Sequence, residues 1–141
     1  MLGCLLASGA FADATPEYRA KAGFLYNFIA FTEWPPRVGS PLPLCVYGGN
    51  PFGDELAALE GKTVNGHMLT IRYPGSLDQL KGCRVVFVAD SVINNLPHIL
   101  EAVRDEPVLI VADSRGALDA GVGIGCLVSQ LDGVVSKVLG L

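Results

Sequence analysis

Two Asp-Ser pairs are the first residues in this sequence with the types and placement to do chemistry. Val86-Phe87-Val88-Ala89-Asp90-Ser91 recurs as Leu109-Ile110-Val111-Ala112-Asp113-Ser114, 23 residues later. Each pair ends an apolar run and opens a helical stretch. A carboxylate and a hydroxyl at such a point either meet a polar ligand or partner, or cap the helix behind them by accepting its orphan N–H groups. A third loop, Gly48-Gly49-Asn50-Pro51-Phe52-Gly53, adds Asn50. It lacks the Gly-Lys-Ser/Thr of a phosphate-binding loop and is not the dinucleotide fingerprint. Asn50, Asp90, Ser91, Asp113 and Ser114 are therefore the candidate ligand or partner edge.

No nucleophile stands beside a base. His67 neighbours a hairpin turn and His98 follows Pro97 inside a helical stretch, so both read as surface or capping groups rather than general bases. The chain is read as a non-enzyme without catalytic residues, metal ligands or a cofactor. Cys45 and Cys83 are better placed. Each sits at the start of an expected strand. If those strands are parallel neighbours, the sulfurs reach one edge of the sheet, opposite the Asp-Ser loops. A bridge there closes a loop of about 38 residues and adds roughly 3–4 kcal/mol in the chain-entropy model. The other reading is two buried thiols acting as small hydrophobes. Cys126 has no evident partner; it is either buried and inert or bridges two copies of the chain.

The elements that must position these residues follow from periodicity and punctuation. Thr15-Pro16-Glu17 starts a helix. Tyr18, Ala22, Leu25 and Ile29 repeat at helical spacing, widened by Phe24, Phe28 and Phe31. Pro35-Pro36 ends it by Trp34. Pro43–Tyr47 reads as a strand, and Asp54–Leu59 as a short helix ending at Gly61. Thr63-Val64, Asn65-Gly66 and Met68–Tyr73 form a hairpin with a type I′ turn. Ser76–Leu80 is a helical turn. Arg84–Ala89 and Val108–Ala112 are strands buried on both faces. Ser91–Val103 is helical, with a kink or restart at Pro97. Gly116–Ala120 is a short turn of helix, and Ile124–Val128 a weak strand. The repeated unit implies parallel neighbours joined by a crossover. The expected fold is α/β, a single domain with a mostly parallel sheet flanked by helices and one antiparallel hairpin.

The chain has 141 residues, half of them hydrophobic and 17% charged, which excludes disorder. Its net charge is -4 and it has no basic block, which argues against nucleic acid as a partner. Leu2–Ala12 is uncharged and apolar but far short of the roughly 20 residues a membrane span needs. With Ala10-Phe11-Ala12 and Ala12-Asp13-Ala14 behind it, residues 1–14 read as a signal peptide remnant. Export makes a disulfide chemically reasonable.

Tyr18-Arg19-Ala20-Lys21-Ala22-Gly23-Phe24-Leu25-Tyr26-Asn27-Phe28 and Phe31-Thr32-Glu33-Trp34-Pro35 resemble the opening helix of the YfiR family of periplasmic proteins. Pro43–Gly48, Pro51–Asp54, Leu59–Val64, Leu80–Val88 and Pro107–Asp113 resemble its next blocks, so the similarity runs from Tyr18 to about Gly125. The resemblance implies an exported repressor that holds down an inner-membrane diguanylate cyclase by binding its periplasmic sensor domain. It implies control of cyclic di-GMP and biofilm formation, and a homodimer with no membrane span of its own. It also places Cys45 and Cys83 at the family's bridging pair. Residues 15–141 are then a YfiR-like domain, shortened near its C-terminus by roughly 15–20 residues, one strand and one helix's worth. The alternative function is a periplasmic small-ligand sensor with its crevice at the carboxyl ends of the strands.

Overall fold

The computed structural model describes residues 16–112 and the backbone of 128–129. Helix α1 spans Pro16–Phe31. Its last turn is closed by Thr32, whose hydroxyl donates to the Phe28 carbonyl at 2.6 Å. Strand β1 (Leu42–Tyr47) follows. The hairpin β2 (Thr63–Val64) and β3 (His67–Arg72) comes next. Asn65 and Gly66 take φ of 52° and 86°, the left-handed pair that a type I′ turn requires. Then come β4 (Val85–Val88), helix α2 (Leu96–Ala102), β5 (Leu109–Ala112) and β6 (Val128–Ser129).

The strands form one sheet in the order β2-β3-β1-β4-β5-β6. β3, β1, β4 and β5 are parallel, while β2 and β6 pair antiparallel at the two ends. This is the expected α/β domain with a mostly parallel sheet, and it carries a second antiparallel pair at β6. Successive side chains of a strand point to opposite faces. Leu44, Val46, Val85, Phe87, Leu109 and Val111 therefore pack with Leu25, Phe28 and Ile29 of α1. Cys45, Val86, Val88 and Ile110 pack on the opposite face with Leu80, Ile99 and Val103. The four-residue strands β4 and β5 are wholly buried, as their unbroken apolar runs require.

One helical expectation is corrected and two are refined. The short helix expected over Asp54–Leu59 is a 3₁₀ turn confined to Ala57–Leu59. The turn expected over Ser76–Leu80 is also 3₁₀, over Leu77–Leu80. The helix expected from Ser91 is 3₁₀ over Asp90–Asn95, with Val92 at a non-helical φ of -120°. It restarts as α2 with Pro97 in its first turn, where a missing N–H costs nothing. Gly116–Ala120, Asp113, Ser114, Cys126 and most of the Ile124–Val128 segment lie outside the described residues; β6 begins at Val128.

Candidate functional site

β1 has β3 on one side and β4 on the other. The chain leaving β1 packs Phe52 and Leu56 into the core beneath α1. The chain leaving β4 sends Ile93, Leu96 and Ile99 to the opposite face. Diverging connections of this kind open a crevice outside the carboxyl ends of the two strands. Here it is a cleft of about 430 Å³ lined by Tyr18, Gly48, Asn50, Pro51, Ala89, Asp90 and Ser91. Asn50, Asp90 and Ser91, separate in sequence, are thus neighbours around one opening.

Their polar groups are largely committed to the loops themselves. The Asn50 carbonyl accepts the Phe52 N–H at 3.2 Å, and its amide donates to the Gly53 carbonyl at 3.1 Å. Ser91 donates its hydroxyl to the Gly48 carbonyl at 3.0 Å, which ties the β1 loop to the β4 loop. The expected helix-capping role of Ser91 is therefore replaced by a cross-loop bond. The residue at the N-cap is Ala89, whose methyl group cannot cap. Gly48, at φ 102°, is required: a Cβ there would stand 2.6 Å from Val92 Cγ2.

Tyr18 walls the cleft from α1. Its ring meets Phe52 edge-on at 5.3 Å, and Phe52 meets Phe87 of β4 at 4.7 Å. Lys21 is only 1% exposed; its ammonium pairs with Glu17 and lies 4.5 Å from the Tyr18 ring centroid. Glu17, four residues before Lys21, is the local sequence signal for this helical ion pair.

Cys45 and Cys83 form a disulfide with a Cα–Cα distance of 6.0 Å. The expected positions need correction. Cys45 lies inside β1, level with Val86, and Cys83 precedes β4. The bridge is therefore made on the α2 face of the sheet, and both residues are fully buried. Of the histidines, His67 donates Nδ1–H to the Gly39 carbonyl at 2.9 Å, and His98 is exposed on α2. Neither stands at the cleft.

A sequence profile described as YfiR/HmsC-like matches residues 18–135. The chain belongs to the YfiR/HmsC-like family. No curated protein matches it. The YfiR/HmsC-like family is regulatory rather than catalytic. Family membership points to periplasmic regulation of diguanylate cyclase signalling. Among the described residues no helix is long and apolar enough to cross a membrane.

Proposed function

We propose that this protein is a periplasmic binding protein that represses an inner-membrane diguanylate cyclase by engaging its periplasmic sensor domain. It thereby lowers cyclic di-GMP and restrains biofilm formation. The observation that carries this reading is the YfiR/HmsC-like match over residues 18–135. The buried Cys45–Cys83 bridge supports an oxidising compartment. Residues 1–14 act in this reading as the remnant of an export signal, and the working unit is a homodimer. Pull-down with periplasmic domains of membrane diguanylate cyclases, in oxidising buffer, tests it. Recovery of such a domain is expected; recovery of none overturns the reading.

A second reading, a small-ligand sensor, draws on the cleft around Asp90 and the Tyr18 ring. The internal bonds of Asn50 and Ser91 weigh against it. A thermal-shift screen against nucleotides and amino acids separates the two, because a ligand of the folded state raises Tm.

A further inference from the structure

We infer that the groove between α1 and the Ala57–Leu59 turn receives an acidic segment of the regulated partner; this deepens the proposed function and rests on it. The groove holds about 480 Å³ and is lined by Arg19, Gly23, Tyr26 and Asn27 of α1, with Leu59 and Lys62 opposite. The four α1 residues fall on one face of the helix by their spacing.

Gly23 is the telling residue. It lies mid-helix, has no positive φ, and a Cβ built on it would meet nothing within 4 Å. Among the described residues neither backbone conformation nor packing asks for glycine there, yet glycine inside a helix is less stable than alanine. A segment lying close against the helix uses that space.

The rim sets the chemistry of that segment. Glu55 is engaged by Arg19 at 3.2 Å, and the Arg19 side chain still remains 66% exposed. Lys62 is exposed and has no carboxylate partner among the described residues. Arg19 and Lys62 thus outnumber Glu55, the one carboxylate lining the groove, on a chain of net charge -4, and they stand beside the half-buried Tyr26 and Leu59. It fits a peptide segment with a carboxylate for Lys62 and Arg19 and an apolar side chain for Tyr26 and Leu59.

The test uses the full chain and the purified periplasmic domain of the membrane diguanylate cyclase encoded nearest to it. Gly23→Ala is expected to hold or raise Tm. Gly23→Gln fills the groove, and Lys62→Glu reverses its rim; each is expected to weaken binding at least about tenfold with Tm unchanged. Variants that bind as tightly as the natural chain overturn the groove and leave the repressor reading standing. A lower Tm for Gly23→Ala also overturns it, because the glycine then serves the chain's own fold. Loss of self-association in place of partner binding assigns the groove to a second copy and overturns it as well. If the natural chain binds no cyclase domain, the repressor reading fails and the inference fails with it.

Discussion

On one face of the sheet a single helix of 16 residues, α1, supplies Leu25, Phe28 and Ile29 to a continuous core. On the other face the cover is assembled from the 3₁₀ turns Leu77–Leu80 and Asp90–Asn95 and the seven-residue α2. Short helices hold little structure of their own, because helix nucleation is costly and few bonds repay it. The second face carries the Cys45–Cys83 bridge, and among the described residues the first face carries none. The difference teaches where covalent restraint is worth having: beneath a cover of short pieces, on the side of the sheet where burial is divided among several small contributors.

The largest expected effect belongs to the first face. Phe52 is fully buried between the rings of Tyr18 and Phe87. Phe52→Ala is expected to cost about 3–5 kcal/mol in urea unfolding, the usual loss for a large buried aromatic side chain. The loss should be the same in oxidising and reducing buffer. On the second face, the double substitution Cys45→Ala/Cys83→Ala is expected to cost about 3–4 kcal/mol, for a cross-link that spans 38 residues. Reduction of the natural protein should reproduce it. Hydrogen exchange then decides the comparison: amides of residues 77–83 and 90–103 should lose protection on reduction before those of α1. Equal loss on both faces would show that the bridge supports the whole sheet rather than its weaker cover.

These differences were only partly legible in the sequence. The Asn65-Gly66 turn, the buried runs of β4 and β5 and the stripe of α1 are local patterns, and each folds as its own residues dictate. Asp90 and Ser91 could be set on a strand end because a repeated strand-to-helix unit fixes which end they occupy, and Asn50 because Gly48-Gly49 closes the apolar run before it. The bond from Ser91 to Gly48 was not legible, since it joins residues 43 positions apart. Lys21 stands on the buried stripe by its spacing, three residues after Tyr18 and four before Leu25, but its charged side chain conceals that burial in the sequence. The 3₁₀ character of Asp90–Asn95 was not legible either. Val92, at the non-helical φ inside this segment, packs against both cores and lies beside Gly48.

The junction between the two faces gives the next effect in size. Gly48 joins β1 to the cleft, and Val92 and Ser91 reach it from the segment after β4. Gly48→Ala is expected to cost about 1–3 kcal/mol, from the positive φ and the contact with Val92 together. Measured against Val92→Ala alone, Gly48→Ala/Val92→Ala should lose the part of the cost due to the Val92 contact and keep the part due to φ and to the Ala89 and Ser91 contacts. No remaining cost would mean that the left-handed backbone carries no strain with alanine.

The smallest effect lies at the margin of the α1 face, where β3 runs out from under the helix. Leu69 there is fully buried, while Tyr73 is 48% exposed. Partial burial raises the Tyr73 pKa above the ordinary 10.0, and the negative charges of Asp54 and then Glu60 raise it further. A raised folded pKa favours the neutral phenol in the native state. Its small contribution to stability is therefore complete below pH 10.0 and is lost as pH rises through the folded value. The phenolate absorbance difference between the natural chain and Tyr73→Phe should show a midpoint above that of free tyrosine. Asp54→Asn should lower the midpoint more than Glu60→Gln, and neither should restore the free value, because burial is the largest cause. Glu60→Gln keeps an oxygen to accept the Ile71 N–H, so β3 should stay in place during the measurement. A midpoint at the free value would mean that the margin of this face is as open to water as an unfolded chain.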